Sequence, residues 1–174
     1  DRRLPHELRK AFTYAIQVGH GMSYAHGKGI IHRDLKPENV LLAHFGDEQR
    51  HKVVPKICDF GLADLLESNR SYANLTGSRI SMGTVNYMAP EQRQDAGRVD
   101  QRADIFSYGV MVYEMLTGSL PLGRFPLASK KNPGVHPNID GPLMRSLEPN
   151  AKTRLGAVRE LVEALEANPP TLRP

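Results

Sequence analysis

Apolar positions recur along residues 7–26 at helical spacing. Phe12, Ala15, Ile16, Gly19 and Met22 fall on one stripe, as in a helix packed against a core. Gly27 and Gly29 come next and predict its end, because glycine accepts the left-handed backbone that closes many helices. Beyond a polar loop, short apolar runs at 39–42 and 56–58 flank a connection at 44–52 rich in charge and histidine. That pattern predicts a β-hairpin. Residues 64–87 are dense in Ser, Thr, Asn and Gly with little periodicity, and read as a long loop of the kind that carries function. From 103 to 116 the chain is apolar nearly all round (Ile105, Phe106, Tyr108, Val110, Met111, Val112, Met115, Leu116), which places a helix in the middle of a core. Gly118 and then Pro121 predict its stop. Residues 123–138 read as irregular. Two further helices are predicted near 140–147 and 155–167, the second with Leu155, Val158, Leu161, Val162 and Leu165 on one face. Residues 169–174 read as a frayed tail. The fold class is therefore mainly α with small β-hairpins.

Composition adds limits rather than chemistry. The chain has 174 residues, one domain's worth, with 40% apolar and 24% charged residues. Its net charge of +4 is spread over single Lys and Arg residues, so nothing suggests a nucleic-acid groove. Cys58 is the single cysteine, which excludes an internal disulfide and leaves a cytoplasmic location as the default. No apolar stretch approaches the ~20 residues of a membrane span, so no membrane contact is expected from these residues. No signal peptide is evident. The sequence opens at Asp1 in helix-forming residues, as a piece cut from a longer protein would.

The informative segment is His32-Arg33-Asp34-Leu35-Lys36-Pro37-Glu38-Asn39. Asp59-Phe60-Gly61 follows it, and then Ala89-Pro90-Glu91. Asp-Phe-Gly alone is a common turn, and Ala-Pro-Glu alone is weaker still. The loop specifies side chains with no shared periodicity and no packing purpose, and the three motifs come in fixed order. Together they resemble the protein kinase signature of a catalytic loop, a magnesium-binding Asp-Phe-Gly and an Ala-Pro-Glu segment. The resemblance covers essentially the whole chain. It implies the large, C-terminal lobe of a eukaryotic-type serine/threonine protein kinase over 1–168, followed by the tail. No glycine-rich loop or lysine-bearing strand of the small, N-terminal lobe lies within the sequence.

Phosphoryl transfer needs donor, acceptor and metal ions held in line, with developing charge neutralised. By resemblance, Asp34 accepts the proton of a Ser or Thr hydroxyl and Lys36 meets the γ-phosphate as a point charge. Asn39 and Asp59 offer the hard oxygens that Mg²⁺ prefers. Lys36, Glu38, Asn39, Leu41 and Asp59 are thus expected around ATP, Leu41 as the floor of the adenine pocket. Glu38 also matches a position that meets basic substrate residues. His32 is expected to be a packed structural ring steadying the site with Phe60. Cys58 is expected to be a small buried residue beside the nucleotide. His6, His20, His26, His44, His51 and His136 show no metal-ligand spacing and are assigned solvated or turn roles. Glu91 is expected to pair with Arg154, and Asp104 to accept hydrogen bonds from the catalytic-loop backbone.

The Asp-Leu-Lys-Pro-Glu run looks like the serine/threonine branch, and Met-Ala-Pro-Glu-Gln like bacterial members. Arg33 would pair with a phosphate on the activation loop, with Ser68, Ser71, Thr76, Ser78 and Ser81 as candidate sites. Gly83-Thr84 looks like the substrate-side loop. The insert after Leu42 is longer than usual, and 123–138 is short where relatives carry substrate-binding surface. The expected function is ATP-dependent phosphorylation of protein substrates, with this chain inactive alone. The alternative is a non-catalytic pseudokinase-like or scaffold module. A small-molecule phosphotransferase is disfavoured by Lys36-Pro37-Glu38 and Ala89-Pro90-Glu91.

Overall fold

A computed structural model describes residues 5–46, 52–60, 84–93 and 99–171. In chain order these form helix α1 (Pro5–Gly27), the strands β1 (Val40–Phe45) and β2 (Lys52–Ile57), and the helices α2 (Arg102–Thr117), α3 (Ala128–Lys131), α4 (Asp140–Ser146) and α5 (Val158–Ala167). Single 3₁₀ turns lie at Pro37–Asn39, Thr84–Asn86, Pro90–Arg93 and Pro137–Ile139.

Helix α2 is the axis of the core. Ile105, Tyr108, Val110, Met111, Val112, Tyr113 and Leu116 are all buried, so it packs on every side, as its continuous apolar run predicts. It ends where Gly118 turns left-handed (φ 76°) and its N–H closes on Glu114 O at 2.7 Å. Helix α1 buries Leu8, Ala11, Phe12, Ala15, Val18 and Met22 against α2 and α5. Helix α5 contributes Val158, Leu161, Val162 and Leu165, each worth ~1.5–3 kcal/mol of burial. The Glu160 carboxylate closes the start of α5 by accepting from Gly156 N (2.9 Å) and Ala157 N (3.2 Å).

Close approach sets the helix spacing. A Cβ at Gly19 would run into Val162 and lie 2.5 Å from the Tyr108 hydroxyl; one at Gly109 would lie 2.9 Å from Ser146 Cβ. In an exposed helix Gly→Ala gains ~0.5–1 kcal/mol. At Gly19 the sign reverses, and Gly19→Ala is expected to lose ~1–3 kcal/mol, read as a lower urea midpoint at unchanged m-value. A midpoint that rises would disprove the close packing of α1 on α5.

The hairpin pairs β1 antiparallel to β2 in the register Val40↔Ile57, Leu41↔Lys56, Leu42↔Pro55 and on to Phe45↔Lys52. Alternation puts Val40, Leu42, Pro55 and Ile57 on one face and Leu41, Ala43, Val54 and Lys56 on the other. The first face sits on α1, where Gly21 would bring a Cβ 3.0 Å from Ile57. The second leaves Leu41 58% exposed. The strands are longer than the apolar runs at 39–42 and 56–58, because backbone pairing continues where hydrophobicity stops.

The segment 123–138 is less irregular than expected. It holds α3 and a 3₁₀ turn, fastened where Asp140 accepts from Ser129 N (3.0 Å) and Ser129 Oγ (2.5 Å). Asn132 Nδ2 also donates to Leu116 O at 2.7 Å. Polar side chains rather than a hydrophobic period specify this stretch. In the tail, Thr171 N donates to Gly134 O at 3.0 Å, so the chain is held to that point.

Candidate active site

The loop between α1 and β1 carries Asp34, Lys36 and Asn39, and Asp104 at the start of α2 fixes its backbone. Asp104 is wholly buried. Its Oδ2 accepts from His32 N (2.8 Å) and its Oδ1 from Arg33 N (2.7 Å). Such charge-assisted bonds hold Arg33 in a left-handed conformation (φ 66°) that costs a non-glycine residue ~1–2 kcal/mol. The expectation for Asp104 is met.

His26 corrects the sequence reading. The sequence predicts a solvated or turn role, but its side chain is 7% exposed and its Nε2 lies 2.8 Å from Asp104 Oδ2. One residue before the end of α1, it reaches the carboxylate that steadies the catalytic loop. The reading failed because the partner lies 78 residues further along the chain. His20 and His136 are exposed or at a turn as expected: His20 meets Glu166, and His136 Nδ1 accepts from Asn138 N. His44 is exposed on β1, as expected.

Within the loop, Asp34 is the hub. Its Oδ2 accepts from Lys36 Nζ (2.7 Å) and Asn39 Nδ2 (3.2 Å), and Asn39 Nδ2 also donates to Asp34 O at 2.7 Å. Both side-chain contacts fall on Oδ2, and Oδ1 accepts no bond among the described residues. The Asp34 side chain is 43% exposed, open to a substrate. Asn39 turns its nitrogen into the loop, so its side-chain carbonyl oxygen is the end directed away from Asp34.

The hairpin's far end is tied to this loop by backbone. Cys58 N donates to Asn39 O at 2.9 Å, and His32 Nε2 lies 2.9 Å from Cys58 O. The buried His32 ring meets the Phe60 ring, centroids 4.7 Å apart, the structural part expected of both. Asp59 stands between these anchors, left-handed at φ 64°, a conformation aspartate tolerates better than most residues. Its exposed carboxylate follows directly on a residue bonded to Asn39. Asn39 and Asp59 thus contribute one neutral and one anionic hard oxygen from adjoining backbone, with Lys36 alongside. That set fits Mg²⁺, which takes few protein oxygens and fills its shell with phosphate oxygens and water. Cys58 is only partly buried, its Sγ directed to Asn39 O at 3.3 Å.

Across from the loop, Glu91 and Arg154 pair as expected. Arg154 Nη1 and Nη2 reach Glu91 Oε1 (2.6 Å) and Oε2 (3.0 Å). The Arg154 side chain is fully buried, its guanidinium 5.1 Å from the Phe106 ring centre. It also donates to Glu148 O, Pro149 O and Arg102 O. Burial alone would raise the Glu91 carboxyl. The Arg154 hydrogen bond, a backbone N–H and the Arg154 charge together outweigh burial and hold it below the ordinary glutamate range.

Sequence reasoning passed over several residues here. Tyr87, three positions before Pro90, donates to Glu114 Oε2 at 2.5 Å. Burial first, then that bond and the charges of Glu114 and Glu38, push its phenol well above the usual range, so it stays neutral. Ser107 Oγ donates to Tyr87 O at 2.7 Å, and Gln92 bonds both Ala89 and Arg33. None of these signals is periodic; each is one polar side chain meeting a distant backbone group. Glu38 is exposed on its 3₁₀ turn, and its charge is felt by Tyr87. The candidate phosphorylation sites Ser68, Ser71, Thr76, Ser78 and Ser81, with Gly61, Gly83 and His51, lie outside the described residues, as do the side chains of His6 and Thr84.

The protein kinase domain model matches residues 2–167, nearly the whole chain. The chain belongs to the protein kinase family. Its relatives place it on the eukaryotic-type serine/threonine branch. The serine/threonine-protein kinase PknL of Mycobacterium tuberculosis is 42% identical over 101 residues, covering 58% of this chain and 22% of that protein. The serine/threonine-protein kinase pkn3 of Myxococcus xanthus is 34% identical over 171 residues, covering 97% of this chain and 30% of that protein. The crystal structure of the Mycobacterium tuberculosis PknI kinase domain superposes with a TM-score of 0.63 at 27% identity, over 94% of this chain and 56% of that one. The chain therefore corresponds to part of a kinase domain, its larger lobe, and spans less than a third of these curated relatives. Among the described residues no helix is long and apolar enough to cross a membrane.

Proposed function

We propose that the protein carrying this chain transfers the γ-phosphate of ATP to Ser or Thr hydroxyls of protein substrates. The arrangement on Asp34 carries the reading: a half-exposed carboxylate, one oxygen held by Lys36 and Asn39 and the other left open. Asp34 is the base that takes the hydroxyl proton. Lys36, held 2.7 Å from it, lies where it can neutralise charge on the transferred group. Asn39 and Asp59 would hold Mg²⁺, whose chemistry is to bridge phosphate oxygens and neutralise them. Leu41, largely exposed on the open face of the hairpin, offers an apolar surface for an adenine ring. Lys36, Asn39, Leu41 and Asp59 thus serve the nucleotide side. Glu38, exposed on its 3₁₀ turn, stands with them and can also meet basic residues of a substrate.

Retention of Asp34, Lys36, Asn39 and Asp59 favours an active kinase over a scaffold. The 174 residues contain neither a glycine-rich loop nor the lysine strand that grips the α- and β-phosphates, so this stretch alone binds Mg²⁺-ATP weakly. The test is radiolabelled transfer by the full-length protein to a generic basic protein, followed by phosphoamino-acid analysis. Phosphoserine or phosphothreonine is expected, and calorimetry on residues 1–174 should give no micromolar ATP binding. Phosphotyrosine alone, or no transfer with intact nucleotide binding, would overturn the reading.

A further inference from the structure

The peptide unit joining Arg33 to Asp34 is clamped from both sides. Its N–H, that of Asp34, lies 3.3 Å from His32 Nδ1. Its carbonyl, that of Arg33, accepts from Gln92 Nε2 at 2.7 Å. The orientation of the Gln92 amide is settled by chemistry. Its other end receives Ala89 N at 3.0 Å, and a backbone N–H can only donate to the oxygen, just as a carbonyl can only accept from the nitrogen. Gln92 is half-buried and sits in the 3₁₀ turn Pro90–Arg93, one residue after Glu91, which Arg154 locks to the core. A continuous chain of bonds therefore runs from Arg154 through Glu91 and Gln92 to the peptide that carries the candidate base. Residues 33 and 34 lie outside the helices and strands, with Arg33 left-handed.

We propose that Gln92 is a positioning residue. It fixes the plane of the Arg33–Asp34 peptide, and so the direction of the Asp34 carboxylate, and makes that direction depend on how the substrate-side segment 89–93 is seated. The catalytic consequence rests on the kinase reading above; the clamp itself does not. Two substitutions test it. Gln92→Met keeps length and loses both hydrogen bonds. Gln92→Glu keeps the acceptor for Ala89 and replaces the donor with an oxygen that repels Arg33 O.

Arg33–Asp34 is the single Arg-Asp dipeptide in the sequence. Labelling arginine with carbonyl ¹³C and aspartate with ¹⁵N therefore gives one inter-residue NMR correlation from the 174-residue chain, reporting on this peptide alone. Both variants should move the Arg33 carbonyl resonance upfield by more than its linewidth. In the full-length protein both should lower kcat ~10–100-fold, the scale of a small misplacement of a reacting group, with KM for ATP within twofold. As a control, Gln101→Ala removes a comparable bond to Gly156 O (2.9 Å) away from the site and should leave kcat unchanged. An unmoved carbonyl resonance overturns the clamp whether or not the wild type is active. A moved resonance with unchanged kcat overturns the positioning role. A wild type without transfer refutes the kinase reading while the carbonyl shift still decides the clamp.

Discussion

Asp34→Asn is expected to lower kcat for phosphoryl transfer by the full-length protein about 10²–10⁴-fold, the range for removing a general acid–base group. Asparagine preserves shape and still accepts through Oδ1, so Lys36 and Asn39 keep a partner and the loop keeps its fold. What is lost is the negative charge that takes the hydroxyl proton and the site's acceptor of it. KM for ATP is expected to stay within a few-fold, because the proposed function gives the phosphate and metal contacts to Lys36, Asn39 and Asp59. The decisive measurement is single-turnover transfer at saturating ATP, alongside a melting curve. Activity within threefold of wild type at equal stability would remove Asp34 from the chemistry and leave the scaffold reading in its place.

The second large effect concerns stability. Arg154→Met is expected to cost about 3–5 kcal/mol, as breaking a buried pair does. Arg154 is wholly buried, and its removal strands the Glu91 carboxylate together with three carbonyl groups, those of Arg102, Glu148 and Pro149. Adding Glu91→Gln should recover part of the loss by removing the stranded charge. Denaturant unfolding of the single and double variants measures both, and a single-variant loss under ~1 kcal/mol would contradict the bidentate geometry. The same pair contributes an acid limb. Folding lowers the Glu91 carboxyl below its ordinary value of 4.5, so the unfolded chain binds the proton more readily. The stabilisation is complete above that value and is lost as pH falls from there through the folded-state pKa. Glu91→Gln should lower stability near neutrality, where that contribution is complete, and flatten the profile in the acid window.

These two residues show how unevenly the chain can be read. Asp34 is legible because its neighbours in sequence are also its neighbours in chemistry: Lys36 and Asn39 lie within five residues and both touch its side chain. Arg154 is named through the family resemblance, but its value as a buried five-bond anchor is visible only once Glu148 and Arg102 are seen folded around it. The helices α1, α2 and α5 were legible because burying one face, or every face, writes a period into the sequence. Helix α3 and the fastening of 119–140 were not, since they depend on single polar contacts such as Ser129 to Asp140 and Asn132 to Leu116.

By itself, the sequence determined that this chain folds mainly as helices around α2 and that it carries the catalytic loop, Asp-Phe-Gly and Ala-Pro-Glu in kinase order. Periodicity and contiguous motifs are local properties, and local properties survive in a string. Only the tertiary structure decided that His26 lies buried against Asp104 and that Gln92 reaches the Arg33 carbonyl. Each of these is a single hydrogen bond, between groups 78 and 59 residues apart. A bond across that separation leaves no period in the sequence, because its partner is chosen by how the helices pack and not by what stands next to it in the chain.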